Sequence, residues 1–217
     1  MNYSVHKEVN IAVGKLSVQG YLAIPEQAKA IVVFSHGSGI SRLSKRNRRV
    51  AAYLQDKKLG TLLFDLLTPE EDRFYENRFN IDLLTKRLIT VTEWLQDQKA
   101  TKLFPIGYFG AGTGTAVAIK AALTLPHIYG IVSRGGRPDL VLEDLYRLEC
   151  PTLLITGSVD ADVLQLNLKA FDKLNCEKKL EVINGTNNFF EENGAIEKVE
   201  ELAMNWFRKY TPQMTLL

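Results

Sequence analysis

Hydrophobic and polar positions along the chain fall into short segments that change period from one to the next. Val5–Val13 and Lys15–Ile24 read as two strands joined at Gly14, a hairpin. "AIVVFSH", Ala30–His36, is an unbroken apolar run, the mark of a strand buried on both faces. Helical periodicity follows over Lys45–Lys58, and "TLLFDLL" from Thr61 predicts the next strand. Ile81, Leu84, Leu88, Val91 and Leu95 recur at helical spacing and predict a long amphipathic helix over Asn80–Gln98. The pattern then predicts strand Leu103–Phe109, helix Thr113–Leu123, strand Tyr129–Ser133 and a short helix near Leu140–Tyr146. Strand Thr152–Thr156, helix Val163–Leu174, strand Lys179–Ile183 and helix Ala195–Tyr210 complete the series. A hairpin followed by regular β-α alternation predicts an α/β fold, with a mainly parallel sheet and helices on both faces. No repeat, linker or long insertion interrupts it, so residues 1–217 are expected to form one domain without a lid domain.

In such sheets ligands sit beyond the carboxyl ends of the strands. The loops to inspect therefore follow His36, Asp65, Phe109, Ser133, Gly157 and Ile183. "IGYFGAGTGTAVAIKAA", Ile106–Ala122, reads as a buried strand, a tight glycine turn and a helix of small residues. That is the setting of a nucleophile elbow, yet its centre is Gly112. "LLITGSVDADVLQLN" places Asp160 just past a strand, and "VINGTNNFFEENGAIEKV" follows the last strand. Loops after Phe109, Thr156 and Ile183 match the Ser, Asp, His order of α/β-hydrolases. With "HGSG", "RNR", "LLFDLLTPEE", "SRGGRPDL" and "FFEENGA", the sequence resembles the dienelactone hydrolase-like family of that superfamily over nearly its whole length.

The resemblance implies an α/β-hydrolase fold and three triad slots. The serine slot falls on Gly112, the acid slot on Asp160 and the histidine slot on Asn188. Glycine offers no nucleophile, and a neutral amide is no base near pH 7. Thr113 is next in line, but that position normally gives its N–H to the oxyanion hole. Glycine also relieves a strained turn, by about 1–3 kcal/mol. Asp160 reads as a relic acid accepting hydrogen bonds from Asn188 or from loop amides, or as a plain loop carboxylate. Of the three histidines, His6, His36 and His127, none lies on the expected base loop; His36 sits on the oxyanion side. The expected function is that of a catalytically impaired homologue that keeps a small-molecule pocket. The alternatives are an active ester or lactone hydrolase with an unconventional nucleophile or bound water, and a subunit whose partner supplies the chemistry.

Charge adds little by itself: 27 Lys and Arg against 25 Asp and Glu give a net charge of +2, so no polyanion partner is implied. The basic stretch Arg42, Lys45, Arg46, Arg48, Arg49 reads either as a phosphate or nucleic-acid patch or as a solvated helix face. No aromatic residue interleaves it, and nucleic acid is not expected. The resemblance implies acidic ligands, which makes the pocket anionic in preference. Its candidate ligand-binding residues are His36, Gly37, Ser38, Arg42, Thr113 and Arg134. Arg134 and Arg137 read equally as structural partners of Asp139 or Glu143. The two cysteines make no disulfide framework, and Cys150 before Pro151 belongs at the far end of the sheet. No signal peptide or membrane span is visible, so the chain is expected in the cytoplasm, without metal or cofactor. The sequence leaves the oligomeric state open.

Overall fold

In the computed structural model, residues 2–37 and 39–212 are described. Strands β1 (Tyr3–Val13) and β2 (Leu16–Pro25) form the expected antiparallel hairpin. There follow β3 (Ile31–Ser35), α1 (Lys45–Asp56), β4 (Gly60–Phe64) and α2 (Ile81–Asp97). Next come β5 (Ile106–Ala111), α3 (Gly114–Thr124), β6 (Ile131–Arg134), β7 (Thr152–Gly157), α4 (Ala161–Lys173), β8 (Lys178–Ile183) and α5 (Ala195–Tyr210). The sheet has eight strands in the order β1-β2-β4-β3-β5-β6-β7-β8. β2 pairs β4 antiparallel, and all pairings from β4 through β8 are parallel. This is the α/β-hydrolase fold.

Side chains alternate strictly between two cores. Ile31, Val33, Tyr108, Ile131 and Leu154 face α2, α3 and α4, in one cluster with Leu84, Leu88 and Val117. Val32, Phe34, Phe109, Val132 and Leu153 face α1 and α5, in a second cluster with Val50, Leu54, Val199 and Phe207. The five residues of β3 and the six of β5 are all buried, because helices cover both faces. β8 is half-buried and carries Lys178, Lys179 and Glu181, charges that blunt an exposed sheet edge.

Helix starts are set by short polar side chains. Ser44 Oγ accepts from Asn47 N, Asn80 Oδ1 from Leu83 N and Asp160 Oδ1 from Val163 N. The segment between β4 and α2 departs from the sequence expectation, which assigned nothing there. It folds into two 3-10 turns, Glu71–Arg73 and Tyr75–Phe79. Asp72 accepts from both Nε and Nη2 of Arg78, a bidentate pair that staples the two turns. The short helix near Leu140 is also a 3-10 element, Pro138–Arg147, kinked at Val141.

Candidate functional site

The loops after β3, β4, β5, β6 and β7 and the loop after β8 converge at the carboxyl ends of the strands. At their centre is the turn Gly110-Ala111-Gly112-Thr113-Gly114 between β5 and α3. A Cβ at Gly114 would lie 2.1 Å from the Ser35 carbonyl oxygen, and one at Gly110 would lie 2.7 Å from Thr115 Cα. Strand and helix can pack this closely only through glycine. Gly112 sits at the apex with φ +54°, left-handed backbone in which a side chain is strained. Among the described residues a Cβ on Gly112 would meet only Gly37 Cα, at 3.6 Å, so the backbone conformation is the constraint there. The Gly112 carbonyl accepts from Thr115 N at 3.1 Å and from Arg137 N at 3.0 Å, which ties the loop after β6 to the elbow.

Gly37 packs against the other side of the elbow. A Cβ on it would lie 3.1 Å from Ala111 O and 3.6 Å from Thr113 N. From Gly37 a cleft of about 320 Å³ opens between the loop after β3 and the segment after β4, lined by His36, Ile40, Asp65, Leu66, Asp72 and Arg78. The imidazole of His36 is buried between these two loops. Its Nδ1 donates to Gly37 O at 3.1 Å, and its Nε2 accepts from Leu66 N at 3.3 Å. Those bonds require the neutral Nδ1–H tautomer, and burial lowers the pKa of His36 below its ordinary 6.5. His36 therefore shapes the cleft wall, and both of its nitrogens are committed.

Asp160 and Asn188, expected in the acid and base slots, lie in the loops after β7 and β8. Asn188 packs on Gly135, whose Cβ would fall 2.9 Å from Asn188 Cβ. Its Oδ1 accepts from Thr156 Oγ1 and Gly157 N, both at 3.0 Å, while its Nδ2 is buried without a partner among the described residues. Asp160 caps α4 through the Val163 amide at 3.3 Å. Among the described residues the Asp160 and Asn188 side chains make no hydrogen bond to each other. Cys150 lies before β7, at the opposite end of the sheet, and burial pushes its thiol pKa well up.

The candidate ligand-binding residues divide by place. His36 and Gly37 line the cleft and Thr113 adjoins it at the elbow. Ser38 lies outside the described residues. Arg42 is committed at the cleft edge: its Nη1 donates to Asp65 Oδ2 at 2.6 Å and its Nη2 to Gln19 Oε1 at 2.8 Å. Arg137 pairs with Asp139 at 2.8 Å, as the structural alternative has it, and this raises its pKa. Among the described residues Arg134 has no carboxylate partner. It leaves β6 toward α1, where Nη2 donates to Asn47 Oδ1 at 3.1 Å, so it lies on the sheet face opposite the cleft. Sequence reasoning missed Leu67, Thr68, Pro69 and Asp72 as cleft wall, although their segment contains "LLFDLLTPEE" and directly follows a strand end. Among the described residues no group of three or more His, Cys, Asp and Glu is placed to hold a metal, and no helix is long and apolar enough to cross a membrane.

Comparison with known proteins agrees with this geometry. No protein-family model matches the chain. Two curated proteins from Mycobacterium tuberculosis strains, provisionally named phosphoribosyl transferase, are 48% identical over 202 residues, which is 93% of this chain and 46% of theirs. The chain thus spans about half the length of the curated relatives it matches. Among solved structures, Est1E from Butyrivibrio proteoclasticus superposes with a TM-score of 0.80 at 12% identity, covering 94% of this chain and 98% of that one. That likeness shows the fold alone. The dienelactone hydrolase of Anabaena variabilis superposes with a TM-score of 0.92 at 43% identity, covering 96% of this chain and 99% of that one. With its elbow, its loop order and this relative over the full domain, the chain belongs to the dienelactone hydrolase family of α/β-hydrolases.

Proposed function

We propose that this chain is a non-hydrolytic member of its family that binds a small, preferentially anionic molecule beside the elbow. The observation that carries the reading is Gly112: the apex of the turn has no heteroatom to attack a carbonyl. The facing loop supports the same reading, since Asn188 is a neutral amide whose oxygen is already committed. A serine triad needs both a hydroxyl and an imidazole, and loss of one member removes most of the chemical rate. The binding half of the reading rests on the cleft beside Gly37, on the neutral His36 that keeps its two walls together, and on the elbow at the start of α3. A helix of eleven residues beginning there directs the positive end of its dipole at the site. The transferase named for the mycobacterial relatives is assigned, on this proposal, to the part of those proteins that the chain does not span. The support is that the spanned part matches a dienelactone hydrolase over its full length.

The deciding experiment is turnover of 4-nitrophenyl acetate by the purified chain, next to the same preparation after heat denaturation. The expected rates are equal. A rate in the native sample that saturates with substrate and is lost on denaturation would overturn the reading and point to another nucleophile.

A further inference from the structure

We propose that Arg134 and the first turn of α1 form a second, buried site for a small oxyanion, on the sheet face opposite the cleft. Arg134 is the last residue of β6, held between Ala111 of β5 and Ile155 of β7. It is only 4% exposed. A guanidinium so enclosed is expected to have a carboxylate, because burying an uncompensated charge is costly. Among the described residues its one hydrogen-bond partner is the neutral Asn47 Oδ1 at 3.1 Å, and its Nε–H is buried without an acceptor. Burial, and after it the like charge of Arg46, lowers its pKa to about 10. Arg46 in turn lies 5.0 Å over the Phe189 ring and pairs with Glu191 at 2.6 Å.

The first turn of the twelve-residue helix α1 lies at the same place, since Asn47, its third residue, accepts from Arg134 Nη2. Arg46, the cation that acts on Arg134, is answered by Glu191, but among the described residues no carboxylate is placed on Arg134 itself. A guanidinium edge matches a carboxylate or a phosphate, and the enclosure limits the guest to a small one. Phe190 of the loop after β8 is buried in the cluster on that same face, with φ +56°, strained backbone for an aromatic residue. The site shares no residue with the cleft, and the proposal stands whether or not the chain hydrolyses esters.

The test titrates the full chain with inorganic phosphate, ribose 5-phosphate and acetate, at ionic strength held constant with sodium chloride. Melting temperature and the 15N–1H signal of Arg134 Nε are recorded. Expected is a melting temperature that climbs with the logarithm of phosphate concentration, and a moving Arg134 Nε signal. Arg134→Met should abolish the climb and, without phosphate, should melt no lower than the parent, because a lone buried cation has been removed. Arg48→Met, which deletes an exposed arginine of α1, should keep the climb. A response to ribose 5-phosphate as strong as that to phosphate assigns the site to phosphate monoesters; a response to phosphate or acetate alone assigns it to the free ion. An Arg134 signal unmoved by all three, or an equal climb in Arg134→Met, overturns the proposal. Should Arg134→Met not fold, the Nε titration of the parent decides.

Discussion

The elbow and the two loops that face it have kept different things. The elbow keeps its backbone: Gly110 and Gly114 are still required, since a Cβ on either would drive into Thr115 Cα or the Ser35 carbonyl. Its apex keeps φ +54° and enough room for a side chain. The facing loops keep their course over the strand ends, but their side chains have other work. Asp160 caps a helix, and Asn188 satisfies Thr156 and Gly157. The difference teaches what holds each part. The turn is fixed by backbone packed on backbone, which the fold needs whatever the chemistry. A catalytic carboxylate or imidazole is held only by its partners, and on the proposed non-hydrolytic reading its place is open to any polar group that satisfies the local amides.

The most severe way to break the comparison is Gly114→Ala. A Cβ placed 2.1 Å from Ser35 O cannot be accommodated without moving β3 or α3. The expected cost in urea unfolding is more than about 3 kcal/mol, above the usual range for overpacking. A cost below about 1 kcal/mol would mean that the turn is not held by close packing. Next is repair. Gly112→Ser together with Asn188→His should raise turnover of a short-chain activated ester by roughly 100-fold over the parent, about 2.7 kcal/mol of barrier. Either change alone should leave it near the parent rate, and Gly112→Ser alone should cost about 1–3 kcal/mol of stability for a side chain at positive φ. A double variant that folds and stays inert would show that Asp160 does not leave its helix cap to support the imidazole.

A smaller effect tests the wall between elbow and cleft. The native pKa of His36 is held below 6.5 by burial, so the folded chain resists protonation while the unfolded chain accepts it. His36 therefore contributes full stability above pH 6.5 and loses it as the pH falls below that value, by up to about 1.4 kcal/mol per pH unit. Urea midpoints from pH 8 to pH 5 should fall less steeply in His36→Gln than in the parent; equal slopes would mean that His36 is protonated in the fold. The smallest effect is that of Asp160→Ala. It should cost about 1 kcal/mol through loss of the α4 cap and leave ester turnover at background. A fall in measurable turnover would return Asp160 to a catalytic role.

Most of the frame is legible in the sequence because it follows from local periodicity. The α5 helix, Ala195–Tyr210, begins and ends where its pattern does, and the hairpin turns beside Gly14. The elbow is legible because Gly110, Gly112 and Gly114 occur where strand gives way to helix. The wall over residues 65–79 is not, because its two 3-10 turns have no repeating pattern and are held by the Asp72–Arg78 pair. Arg134 and Arg42 look alike in the sequence, each following a strand. Only the fold separates them, turning Arg42 onto Asp65 and leaving Arg134 buried, without a carboxylate among the described residues. The sequence by itself therefore determined the element order, the family and the glycine at the centre of the elbow, since these depend on residue type and spacing along the chain. Which polar groups find partners was decided by the tertiary structure alone, because the acceptors that Arg42 gains and Arg134 lacks come from residues distant in the chain, brought within reach or kept away by packing.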